Sequence, residues 1–132
     1  MVYDFIGNDY FGNSNGNGEL MADYVHGELI GASTGTLTLY DTGTTDARVL
    51  DGAEQLYITD AIIYPGATGT FYLYADALAA GKYIVTGDVD ASYIGPIIVH
   101  FVTPYICPVG LVPKFSGVSN DTSVTIQGYI PT

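Results

Sequence analysis

Apolar and polar positions alternate with a period of two through most of the chain. Thr36-Leu37-Thr38-Leu39-Tyr40 alternates cleanly and sets Leu37 and Leu39 on one side. Thr70 to Tyr74 repeats the pattern, with Phe71 and Leu73 inward and Tyr72 and Tyr74 outward. Successive side chains of a strand point to opposite faces, so both runs predict half-buried strands. The same reading places strands at Leu20 to Ile30, Arg48 to Leu50, Leu56 to Tyr64, Tyr83 to Thr86, Leu111 to Phe115 and Val124 to Tyr129. Ile97-Ile98-Val99-His100-Phe101-Val102 is apolar on both parities, the mark of a central strand covered on both sides.

Turn residues punctuate these runs. Asp41-Thr42-Gly43-Thr44 and Pro65-Gly66 read as turns, and Asp51-Gly52 as a hairpin signal. Only Asp76-Ala77-Leu78-Ala79-Ala80-Gly81 is helix-like, one turn with an acidic cap and a Gly stop. The expected fold is therefore all-β: an antiparallel β-sandwich of jelly-roll type with about eight strands. An immunoglobulin-like sandwich is the runner-up, but Trp is absent and one Cys cannot form the inter-sheet bridge.

Residues 1–18 break the alternation. Asn8, Asn13, Asn15 and Asn17 mix with Gly7, Gly12, Gly16 and Gly18, and Tyr3, Phe5, Tyr10 and Phe11 are scattered among them. This is expected to be an extended N-terminal arm whose four aromatics anchor in pockets of a neighbouring molecule. Residues 19–132 form the single sandwich domain, since 132 residues suffice for one core and not two.

Charge narrows the partners. Arg48, Lys82 and Lys114 stand against 14 acids, leaving a net charge of −11. Nucleic acid, which is bound by neutralising phosphates, is excluded as a partner, and so is an anionic membrane. The longest apolar run, Ile94 to Val102, is interrupted by Gly95, Pro96 and His100. The sequence opens without a basic and then apolar leader, so synthesis in the host cytoplasm is expected. Asn120-Asp121-Thr122 fits a glycosylation sequon and equally a plain turn.

Candidate chemistry is sparse. His26 and His100 are the only histidines and neither sits in a nucleophile or ligand-spaced motif. Cys107 has no basic neighbour to favour a thiolate and reads as a small apolar residue. Asp88 and Asp90 place two carboxylates on one side of an extended segment, a weak calcium candidate. Asp41, Asp46 and Asp51 are a second acidic group that can converge at one end of the sandwich. No cofactor and no enzymatic activity are expected. The 12 tyrosines are the most specific oddity; Tyr57, Tyr72 and Tyr74 are expected to face outward for partner contact.

Residues Ile97-Ile98-Val99-His100-Phe101-Val102-Thr103-Pro104-Tyr105-Ile106-Cys107-Pro108-Val109-Gly110-Leu111-Val112-Pro113-Lys114-Phe115, followed by Val124-Thr125-Ile126-Gln127-Gly128-Tyr129, form a further pattern. It is a hydrophobic strand, a Pro-bounded loop with Gly, a strand, then a closing strand. This pattern resembles the closing strands of small jelly-roll cement or decoration proteins of tailed bacteriophages. The resemblance implies a non-enzymatic virion protein on the capsid exterior. Its partners would be the major capsid protein and itself, as a homo-oligomer with a trimer favoured. Ile98, His100 and Val102 are then the expected self-interface. The alternative from the binding-module class is a lectin-like carbohydrate-binding module on a phage or cell surface.

Overall fold

A computed structural model describes residues 22–31, 34–75, 83–90, 95–117 and 121–131. Ten strands run through them: β1 (Ala22–Ile30), β2 (Thr34–Thr36), β3 (Thr38–Asp41), β4 (Ala47–Arg48), β5 (Tyr57–Tyr64), β6 (Gly69–Tyr74), β7 (Tyr83–Val89), β8 (Ile97–Ile106), β9 (Lys114–Ser116) and β10 (Ser123–Pro131). They form two antiparallel sheets. The wide sheet has the order β4-β3-β1-β10-β5-β8, and the narrow sheet β2-β9-β6-β7.

With β3 and β4 set aside, the other eight strands pair first with last. β1 joins β10, β2 joins β9, β5 joins β8, and β6 joins β7. Contacts of β10 with β5 and of β9 with β6 complete the two layers. A long antiparallel ribbon rolled up in this way is a jelly roll, as the alternation predicts. The β3–β4 hairpin is the addition. The run Thr36 to Tyr40, read as one strand, is divided at Leu37, where the chain leaves the narrow sheet for the wide one. Leu37 is buried at this corner, and its N–H donates to the Pro113 carbonyl at 3.1 Å.

The core lies between the layers. Val25, Leu39, Ile58, Ile63, Val124, Ile126 and Ile130 come from the wide sheet, and Phe71, Leu73 and Phe115 from the narrow one. The rings of Phe71 and Phe115 stack at 6.3 Å. Each such side chain contributes about 1.5–3 kcal/mol by leaving water, so the period-two pattern drives the fold. A bulge in β5 opposite Gln127 and Gly128 of β10 adds one residue, Thr59. It keeps Ile58 and Ala61 inward while Tyr57 and Asp60 stay outward. Gly128 is required there, because a Cβ would collide with the backbone carbonyl of Tyr57.

Three expectations are corrected. β8 lies at the edge of the wide sheet and is not a central strand. Ile97, Val99 and Phe101 pack on the core, but among the described residues the other parity is left open: Ile98 is 69% exposed and Val102 93%. Asp51-Gly52 does turn the chain, with Asp51 Oδ1 accepting from the N–H groups of Ala53 and Glu54. It connects β4 to β5, however, which are not paired, and β4 forms its hairpin with β3. The second strand of the closing pattern is shorter than expected, starting at Lys114 and not at Leu111. The helix-like segment 76–81, the arm and the sequon's Asn120 fall outside the described residues.

Candidate functional site

The outer face of the wide sheet carries an ordered polar and aromatic surface. Registers set it in rows across the strands. Tyr24 of β1 faces Tyr129 of β10, which faces Tyr57 of β5, which faces Ile106 of β8. The rings meet: Tyr24 and Tyr129 are 6.2 Å apart, and Tyr57 and Tyr129 are 5.2 Å apart. Two residues along β1 and β10, three along β5 and six along the bulged β8, is a polar row. It runs Tyr40, His26, Gln127, Asp60, His100 across β3, β1, β10, β5 and β8. The next row is Thr38, Glu28, Thr125, Ile62, Ile98.

Within the polar row the partners are specific. His26 stacks on Tyr40 at 5.1 Å with their planes 21° apart. His100 Nδ1 lies 2.7 Å from Asp60 Oδ1, so Nδ1 carries the proton and donates it. That bond, foremost, holds the Asp60 carboxyl below its ordinary value; a second bond from Thr59 acts in the same direction. Where the aromatic and polar rows adjoin, a groove of about 440 Å³ opens. Its walls include Tyr24, His26, Thr42, Thr59, Thr125, Gln127 and Tyr129.

Beyond one end of the groove stands a charged cluster. The Arg48 guanidinium donates from Nη1 to Asp41 Oδ1 at 2.6 Å. Its Nη2 donates to Glu54 Oε2 at 2.6 Å and to Asp23 Oδ2 at 3.2 Å. These carboxylates, Asp41 foremost, push the guanidinium's pKa up and keep it charged. The acids expected to gather for a metal thus divide: Asp41 joins Asp23 and Glu54 around an arginine, and Asp51 makes a local turn. No cluster of three or more metal-binding side chains exists among the described residues. Asp88 accepts a hydrogen bond from Thr70 Oγ1.

The expected site residues do not form one surface. Ile98, His100 and Val102 do lie together on the outward side of β8. Tyr57 belongs to the aromatic row of the wide sheet, whereas Tyr72 and Tyr74 belong to the narrow sheet on the other side of the sandwich. There Tyr72, Tyr74 and Tyr83 form a three-ring cluster with centroids 4.9–5.8 Å apart. Tyr74 is only 8% exposed, which corrects its place as an outward contact residue. A bulge between Leu73 and Tyr74 puts it against Tyr83, and burial there raises its phenol pKa. Tyr3, Phe5, Tyr10 and Phe11 lie outside the described residues. Cys107 is buried, and burial pushes its thiol up to about 12.

Sequence reasoning did not assign Tyr24, His26, Tyr40, Gln127 and Tyr129 to a site. They share one parity within β1, β3 and β10, but only the pairing of β1 with β10 and with β3 joins them. Arg48 was also missed, although a sole arginine among 14 acids is itself a signal.

Comparison with protein-family models, with curated proteins and with solved structures finds no match to this chain. No helix among the described residues is long and apolar enough to cross a membrane.

Proposed function

We propose that the protein is a non-enzymatic capsid decoration protein that assembles with itself and binds the exterior of a major capsid protein lattice. The observation that carries the reading is the outward side of β8. Ile98, Val102 and Ile106 are exposed along one edge strand of the wide sheet. Covering them with a neighbour would contribute about 1.5–3 kcal/mol per side chain, and a ring of copies repeats that gain at each interface. β8 carries no acid, so this strip suits self-contact better than most of the surface of a chain with net charge −11. Capsid binding is supported by the resemblance of residues 97–129 and by the jelly-roll fold, an argument by analogy. A protein of this kind stabilises by mass action, because it binds the assembled shell and not separated subunits. Weak contacts repeated around the shell add through multivalency.

The test is light scattering coupled to size-exclusion chromatography, on the wild type and Val102→Asp. Val102 is 93% exposed, so the variant should melt at the wild-type temperature. An oligomer that becomes monomeric in Val102→Asp supports the self-interface, and a monomeric wild type refutes it. Adding the wild type to undecorated capsids should raise the temperature at which they release DNA. No rise at saturating protein refutes the capsid role.

A further inference from the structure

The groove on the outer face of the wide sheet is a separate site, and the geometry points to a neutral oligosaccharide as its ligand. Three features converge on that class. The first is spacing. Tyr24 and Tyr129 line the groove and Tyr57 stands beside Tyr129 on the next strand, with ring centroids 6.2 and 5.2 Å apart along the row. That is close to the advance of one sugar ring in an extended glycan, so a chain laid across the strands can set successive rings on successive tyrosines. A pyranose offers a face of C–H groups with partial positive charge, and an aromatic face is electron-rich.

The second feature is the polar row beside the rings. Gln127 supplies an amide that both donates and accepts, Thr59 and Thr125 supply hydroxyls, and His26 supplies a ring nitrogen. Sugar hydroxyls need both donors and acceptors at the rim of the stacked ring, and this row provides them. A groove of about 440 Å³ lies within the range of small-ligand sites.

The third feature is charge. The chain holds 14 acids, yet among the described residues no carboxylate, lysine or arginine lines the groove. Asp23, Glu28, Asp41 and Asp60 stand around it and disfavour an anionic sugar. Asp23 and Asp41 are already engaged by Arg48, which weakens the attraction for a basic peptide. A neutral polyhydroxylated ligand fits what remains. The site is distinct from the β8 strip, so glycan binding and self-assembly can be lost separately.

The experiment screens the full-length protein on an array of neutral glycans. Cellohexaose, maltohexaose and chitohexaose are then titrated by calorimetry. The expected result is binding by at least one neutral oligosaccharide, stronger for the hexamer than for its monomer. Tyr129→Ala, which removes the central ring, should weaken it at least about fivefold, and Tyr129→Phe should hold it within about threefold. Gln127→Ala weakens it through the polar row alone, which guards against a folding defect in Tyr129→Ala. Tyr64→Ala removes an exposed tyrosine two rows beyond the polar row and should change nothing. No binding by any neutral glycan overturns the inference. So does binding that Tyr129→Ala and Gln127→Ala leave intact, or a preference for acidic glycans. None of these outcomes touches the capsid reading, whose variant is Val102→Asp.

Discussion

Replacing Arg48 with alanine removes the one cation that three carboxylates share. The guanidinium ties β4 to β3 through Asp41, to β1 through Asp23, and to the 51–54 turn through Glu54. The side chains of Asp41 and Asp23 are 48% and 49% exposed, so their pairs are worth surface values, about 0.2–1 kcal/mol each. Glu54 is 25% exposed and bonded at 2.6 Å, so its pair comes closer to the 1.5–3 kcal/mol of a charged hydrogen bond. The expected loss is about 2–4 kcal/mol. For a domain of this size that lowers the melting temperature by roughly 6–15 °C. Circular dichroism melts and urea titrations measure both quantities. Arg48→Lys should recover only part of the loss, because an ammonium is a point charge without the planar fork that serves several acids at once. Adding Asp41→Asn to Arg48→Ala should return some stability, since the uncompensated acids then repel less. An Arg48→Ala melt within a degree of wild type would refute the idea that this cluster holds the hairpin to the sandwich.

Two further outcomes follow from ionisation. The buried Cys107 thiol, pushed up to about 12, should resist a disulfide-exchange reagent at pH 8 in the folded protein and react at once in guanidinium; rapid reaction without denaturant would show that the 107–110 loop opens. Asp60 binds its proton more weakly in the folded chain than at its ordinary value of 3.8, so its contribution to stability is full above that value and fades as the pH falls below it. His100→Ala should move the Asp60 carboxyl titration, followed by carbon NMR, upward toward 3.8, and an unmoved midpoint would rule out the His100 bond as the cause.

The sandwich was legible because inward positions repeat every second residue. Leu37, Leu39, Phe71, Leu73, Val124 and Ile126 are all buried as the alternation requires. β8 misled because an edge strand with an uncovered apolar parity reads like a strand buried on both sides. Parity reports what a side chain prefers to contact, not whether this chain supplies the contact. The bulges were invisible for a related reason. At Thr59 in β5 and at Ile84 in β7 one extra residue shifts the register, and the shift depends on the partner strand. The groove was hidden longest, since Tyr24, Tyr57 and Tyr129 are far apart in sequence and meet only through pairing. Arg48 and its acids were hidden in the same way, with Asp23 entering from β1.

Ala22 and Pro131 are register partners, so the ribbon starts and finishes at one corner. That corner borders the ring of Tyr24 and the row it begins. The chain therefore enters β1 and leaves β10 beside the same rim. A carrier domain fused directly to Ala22 or Pro131 would stand beside the tyrosines, and a blocked groove and an idle one would then look alike.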